Sequence, residues 1–185
     1  MAVVVITPPA PIVTLEEVKN QLGDIPTEDQ SYVDGLIAGA MAWIDGPTGW
    51  LERSFGVQLL EFTEDNPCSP IVNLPFGPVL EVVEAWSGTD ELPVDQYVPG
   101  ASAIGFGLLL STGRPFRVRY WAGYGKRDPH DTAKWISEPP ASVKVAIMML
   151  VAQWYNTRES AVTGTITSKM PFAVDALLQP FRVYR

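Results

Sequence analysis

The clearest helical signal in the chain lies in residues 139–158, which read PPASVKVAIMMLVAQWYNTR. Proline suits the first turn of a helix, where its missing amide costs nothing, so Pro139 and Pro140 can open a helix from about Ala141 to Arg158. Within it, residues 145–152 are apolar around the whole circumference. Such a helix must be covered on nearly every side, and we therefore predict a core helix over 139–159.

Two further helices are predicted nearer the N-terminus, over residues 14–54. Thr14 and Glu17 have the spacing of a capping box, in which each side chain bonds the other residue's backbone amide, and this helix should run to about Leu22. Gly23 then interrupts the pattern, and a second start signal begins at Thr27. The longer helix that follows carries apolar residues on one face, namely Val33, Leu36, Ile37, Ala40, Met41 and Ile44.

The opposite face of the longer helix carries small side chains. A helical period of about 100° per residue places Gly46 and, before it, the four residues Gly35, Ala38, Gly39 and Ala42 in one stripe. Each glycine inside a helix costs about 1 kcal/mol relative to alanine, so another backbone is expected to approach closely there. That backbone belongs either to a neighbouring subunit or to a tight contact within the chain. The first interpretation makes these four residues a subunit interface.

Residues 56–122 predict an antiparallel β region inserted between the helices. Short apolar or alternating runs cover 57–63, 79–86, 97–98, 106–110 and 116–121, and proline and glycine separate them. The predicted fold class is therefore α+β, mainly an α-helical bundle with two N-terminal helices and one long C-terminal helix. The antiparallel β insertion and an extended C-terminal tail complete it.

The tail is predicted to span residues 160–185 and to act in docking. Ser160 to Lys169 is polar and rich in threonine, as a tether would be, and a short apolar module follows from Pro171 to Arg182. A tether that ends in an apolar module is typical of a segment that anchors to a partner.

Composition narrows the classes of function. Charged residues make up only 18% of the 185 residues, which leaves uncharged surface suited to contact other chains. The net charge of −8 argues against a DNA-gripping surface, because that affinity requires clustered Lys and Arg. The single cysteine, Cys68, cannot form an internal disulfide, and no secretory leader or membrane span is found. We expect the chain to be made in a reducing cytoplasm.

Residues with catalytic or ligand-binding chemistry are few. The one histidine, His130, lies between Asp128 and Asp131, where a polar loop is a better interpretation than a metal site. The run from Gly123 to Lys126 resembles a phosphate loop only weakly, since the first glycine and the magnesium-binding Ser or Thr are missing. The six tryptophans lack interleaved positive charge and favour core or interface roles. We predict no catalytic residue, no cofactor and no metal.

The order of these pieces resembles the head-tail connector, or adaptor, family of long-tailed double-stranded DNA phages, in the variant with a β insertion between the helices. Four places carry the resemblance, and a fifth, the closing Met170-Pro171-Phe172 with Ala176-Leu177-Leu178 and Arg182, resembles the family's usual ending. The four are residues 13–19, residues 44–51, residues 118–125 and the stretch 147–159. Together they cover nearly the whole chain. The resemblance therefore implies a single connector domain over residues 1–185.

The resemblance implies a structural virion protein that forms a ring, expected to be a dodecamer, between the portal of the DNA-filled head and the tail. Its partners would be further copies of itself, the portal protein and a head-closure or tail-joining protein, while DNA passes through the lumen without specific binding. It would be made in the host bacterial cytoplasm. The ending would dock on the portal through Met170, Pro171, Phe172, Leu177, Leu178, Phe181 and Arg182.

Two alternatives remain open at this point. The chain could be another neck protein, such as a head-closure or tail-terminator protein, and those tend to be built mainly on β-barrels. It could also be an enzyme with an unfamiliar site, which would require a deep pocket that holds His130 together with two or more carboxylates.

Overall fold

The computed structural model describes residues 1–65, 67, 71–93, 97–99, 103–106, 114–157 and 172–183. Four α-helices lie in these ranges: α1 (Leu15–Leu22), α2 (Gln30–Ile44), α3 (Ala141–Asn156) and α4 (Phe172–Leu178). Short 3-10 turns precede α2 at Thr27–Asp29 and follow α4 at Gln179–Phe181.

The predicted start of α1 is confirmed in atomic detail. The amide of Glu17 donates to Thr14 Oγ1 at 3.3 Å, and the amide of Thr14 donates to Glu17 Oε2 at 2.8 Å. Gly23 ends the helix with a positive φ of 83°, which suits glycine. The helix therefore begins and ends where local residue types satisfy its free backbone groups.

Ten strands form three sheets in the described part of the chain. They are β1 (Ala2–Thr7), β2 (Gln58–Glu64), β3 (Ile71–Asn73), β4 (Val79–Ser87), β5 (Asp90–Glu91), β6 (Tyr97–Pro99), β7 (Ala103–Phe106), β8 (Phe116–Ala122), β9 (Gly125–Arg127) and β10 (Trp135–Ser137). The largest sheet has the order β1-β2-β8-β4-β5 and is antiparallel throughout. The strands β3, β7 and β6 form a second sheet, and β9 and β10 form a hairpin.

The centre of the large sheet is set by the alternation of β2 and β8. Leu60 lies opposite Tyr120, and Phe62 lies opposite Val118, all four with buried side chains. On the outer face Arg119 Nε donates to Glu61 Oε2 at 2.7 Å. The strands therefore have one apolar and one wet face, as the alternating sequence predicts.

The prediction of a mainly helical bundle with one long C-terminal helix was wrong. The longest described helix, α3, has 16 residues, and a further helix, α4, follows it. The ten described strands together contain about as many residues as the four α-helices, and β1, the edge strand of the five-stranded sheet, precedes all of the helices. The pairing of β1 with β2 joins residues more than fifty positions apart, and such non-local pairing leaves no local sequence signal.

The described part of the chain contains two hydrophobic clusters. The first lies between the helices and includes Ile37, Ile44, Ile147 and Leu150. The second lies against the large sheet and is built on Leu60, Phe62 and Tyr120, together with Val72 of β3 and Leu74 just after it. The core helix α3 contributes its buried side chains to the first cluster only.

Candidate assembly surfaces

The C-terminal segment 172–183 packs into the helical cluster. Val174 and Leu178 of α4 are fully buried there, and the ring of Phe181 meets the ring of Phe55 edge-on at 5.7 Å. Arg53 Nε donates to the carbonyl of Phe181 at 3.0 Å, and the amide of Val183 donates to the carbonyl of Leu51 at 3.2 Å. In the described structure this segment is part of the core.

Because of this packing, some of the residues predicted to dock on the portal are buried and others are exposed. Leu178 is buried and Leu177 partly buried against the same cluster, while the Arg182 guanidinium lies 5.2 Å from the ring of Trp50. Phe172, at the first turn of α4, is 87% exposed. Met170 and Pro171, like the predicted tether 160–169, lie outside the described residues. Among the described members of the set, Phe172 is therefore the large apolar residue that a partner can reach without unpacking α4.

The stripe of small residues on α2 faces solvent. Gly35, Ala38, Gly39 and Ala42 are exposed, and a Cβ added to Gly35 would meet no described atom within 4 Å. Gly46 does not belong to the stripe, because α2 ends at Ile44 and Gly46 is buried against Gln58. A Cβ added to Gly39 would meet only Trp154, at an ordinary contact distance of 3.8 Å. Among the described residues, no backbone packs tightly against the stripe. Of the two explanations for it, a neighbouring subunit is the one that this geometry favours.

An apolar groove of about 800 Å³ runs along one side of the stripe. Ala38, Met41 and Ala42 of α2 form one wall, while Val5 of β1 and Pro8 and Pro9 of the following loop form the other. The stripe and the edge strand β1 thus contribute to one continuous surface.

The buried carboxylate of Asp45 connects α2 to the start of β2. Its Oδ1 accepts from the amide of Phe55 at 2.6 Å and from Gln58 Nε2 at 3.4 Å, and its Oδ2 accepts from the amide of Gly56 at 3.2 Å. Burial raises the pKa of Asp45 to about 6, although the backbone donors act in the opposite direction. Sequence reasoning missed this residue, because its partners lie in a different element.

Tryptophan and arginine side chains meet on the large sheet and on the β9–β10 hairpin. The Arg117 guanidinium lies 4.2 Å from the ring of Trp86, and that of Arg127 lies 4.2 Å from the ring of Trp135. The guanidinium of Arg119 lies 5.2 Å from the Trp86 ring. The sequence analysis expected tryptophan in core or interface roles, but it did not anticipate these arginine partners.

The residues considered for chemistry occupy structural positions. The amide of His130 donates to Asp128 Oδ1 at 2.8 Å, which is a local turn. Gly123 and Gly125 lie where a Cβ would approach the Gly56 and Ile136 carbonyl oxygens to 2.3 and 2.5 Å, so close strand packing explains these glycines. Within the described ranges, no three His, Cys, Asp or Glu side chains are grouped as metal ligands. None of the described helices has the length and apolar character needed to cross a membrane.

No family model and no curated protein matches this chain. Solved structures do match it over its full length. A chain of the neck of an empty gene transfer agent particle, computed with C6 symmetry, has a TM-score of 0.71 and 20% identity, and covers 100% of this chain and 97% of its own. A chain of the native gene transfer agent virion, at TM-score 0.68 and 19% identity, has the same coverage.

A chain of the native particle's neck, computed with C12 symmetry, matches at TM-score 0.66 and 18% identity, again over 100% of this chain and 97% of its own. At these identities the shared property is the fold. This chain therefore has, along its whole length, the fold of chains from the neck and virion of a gene transfer agent.

Proposed function

We propose that this chain is a structural protein of the neck of a tailed phage or a related particle. Its role is that of the head-tail adaptor, which forms a ring below the portal and lets DNA pass to the tail. The observation that carries the proposal is the full-length match in fold to neck chains. The sequence resemblance to phage adaptors supports it independently, because it rests on residue order along the chain.

Assembly into a ring is supported by the exposed surface of α2. Gly35, Ala38, Gly39 and Ala42 present a flat, uncharged stripe, and an apolar groove adjoins it. A monomer gains nothing from glycines exposed within a helix, whereas a subunit interface needs close backbone approach. The two necks were computed with six-fold and twelve-fold symmetry, and twelve copies are expected here.

The charge of the chain suits a DNA passage. Twelve copies at −8 each would carry on the order of a hundred negative charges, and the part that faces the lumen would repel DNA. DNA would then move through the ring without adhering to it.

Docking on the portal is assigned to the C-terminal segment. Among the described residues of that segment, Phe172 is the exposed large apolar side chain, and Arg182, ten positions later, supplies a cation. The segment is held in place by Leu177, Leu178 and Phe181, which pack against the chain's own core.

The proposal is tested by sedimentation of the purified chain, alone and mixed with the portal protein encoded beside it. In the mixture we expect a complex in which a ring of this chain is bound to the portal. Phe172→Asp should weaken this complex at least tenfold without a change in the thermal unfolding of the chain. An unchanged affinity would remove Phe172 from the docking surface, and a chain that ignores the portal would contradict the adaptor role.

A second candidate is another neck protein, such as a head-closure or tail-terminator protein. The observation in its favour is the five-stranded sheet, since the fold has more β structure than the sequence predicted. The same sedimentation experiment separates the two roles if the tail-tube protein replaces the portal. An adaptor joins the portal directly, whereas a tail terminator joins the tail tube and leaves the portal unbound.

A further inference from the structure

The large sheet exposes an edge at β1. This strand pairs with β2 on one side, and no described strand pairs with its other side. Its six residues, Ala2–Thr7, carry no charge and no proline, and Val4 and Ile6 are 55% and 44% exposed. Edge strands usually carry lysine, proline or a cover that prevents pairing with other chains. Strand β1 contains neither lysine nor proline, and no described strand covers its outer edge.

The opposite edge of the same sheet is also open. Strand β4 pairs with β8 on one side. On its other side, among the described residues, β5 and the Leu92 amide cover only the end of β4 from Ala85 to Ser87. Val83 on the uncovered part is 40% exposed. Both carboxylates of β4 have a cationic partner within the chain, because Glu81 pairs with Arg127 and Glu84 shares Arg119 with Glu61. An incoming strand would therefore meet little unpaired charge.

The directions of the two edge strands are compatible with each other. Because β1, β2, β8 and β4 are antiparallel in succession, β1 and β4 run in opposite directions. If a second copy continues the sheet in the same sense, its β1 lies antiparallel to β4 of the first copy. The register of β4 shifts between Val79 and Glu81 and again between Val82 and Glu84, and such bulges bend a strand, as a closed ring requires.

We propose that β1 of one copy adds to β4 of the next, so that the large sheet continues from subunit to subunit. The inference rests on the proposed ring and names its contact. The two edges are different surfaces, and their union is head-to-tail, which is the type of contact that closes into rings. It is continuous with the α2 stripe, because Val5 of β1 and Ala38 and Ala42 of α2 line the same groove.

The test uses two variants of the full chain, Val4→Lys/Ile6→Lys on the β1 edge and Val83→Lys on the β4 edge. All three positions are exposed, so each variant should fold. Each variant alone should remain monomeric under conditions in which the wild type forms rings, because every contact would include a blocked edge. An equimolar mixture should form dimers and nothing larger, since one intact β1 and one intact β4 remain available. Dimer formation also shows that both variants are folded.

The matched control is Ile71→Lys/Ile136→Lys, which adds two lysines at exposed apolar positions of β3 and β10. It should assemble as the wild type does. Rings formed by either edge variant alone would overturn the inference and leave the proposed function standing. Self-association of Val83→Lys with a monomeric β1 variant would overturn it in favour of a two-fold β1 contact. A wild type that forms no ring, alone or on the portal, would instead refute the proposed function together with the inference.

Discussion

At the scale of single residues, sequence reasoning succeeded where partners are neighbours in the chain and failed where they are not. Thr14 and Glu17 are three positions apart, so the capping box could be predicted from residue types alone. Asp45 accepts from residues ten to thirteen positions further on, in another element. Its burial depends on how α2 meets β2, and no local pattern encodes that.

Asp45 makes stability depend on pH. Its pKa is about 6 in the folded chain against an ordinary value of 3.8, so the folded state binds the proton more tightly. The stability that this residue contributes is fully present below about pH 3.8 and is lost as pH rises through about 6. Asp45→Asn has no such group. As pH rises from 4 to 7, the free energy of unfolding of the variant should therefore increase relative to that of the wild type, by up to about 3 kcal/mol.

Urea unfolding of both proteins at several pH values measures this difference. The comparison cancels the other titrating groups, including Glu17, whose pKa is lowered by its bond to the Thr14 amide and by Lys144. A difference between the two proteins that stays constant from pH 4 to 7 would contradict the assignment.

Substitutions of the α2 glycines should affect the stability of the monomer and the formation of rings differently. Gly35→Ala should stabilise the monomer by up to about 1 kcal/mol, because alanine is the better helix former and the site is open. Gly39→Leu should leave thermal unfolding nearly unchanged, yet reduce ring formation strongly by keeping backbones apart. Calorimetry and light scattering report the two effects separately. A destabilised Gly39→Leu monomer would show that the stripe serves a contact within the chain.

At the scale of elements, helices and central strands were predictable and the two ends of the chain were not. The helices α1, α2 and α3 and the strands β2, β4 and β8 have strong periodic patterns or capping signals, and each lies close to its predicted range. Strand β1 is a mostly apolar run without alternation, and α4 is a helix of only seven residues. Both depend on distant partners for their stability.

The packing of α4 predicts that the C-terminal segment stabilises the fold. Leu178→Ala should lower the free energy of unfolding by about 2–5 kcal/mol, the usual cost of truncating a fully buried leucine. The matched control is Phe172→Ala in the same helix, which removes an exposed ring and should cost little. Chemical denaturation compares the two. Equal, small effects would show that α4 is a detachable tail, as the sequence suggested.

At the scale of the whole molecule, the described part of the chain presents three kinds of exposed apolar or uncharged surface. They are the α2 stripe with its groove, the two edges of the large sheet, and Phe172 on α4. The first two suit contacts between copies, and the third suits a partner. Composition alone suggested association, from the low charge fraction of 18%, but only the fold shows which residues remain uncovered.

The central claim is that the chain forms a ring on the portal, and electron microscopy of the chain mixed with portal protein tests it most directly. The averaged images should then show a twelve-fold ring of this chain stacked coaxially on the portal. Images of bare portal beside unassembled chain would contradict it.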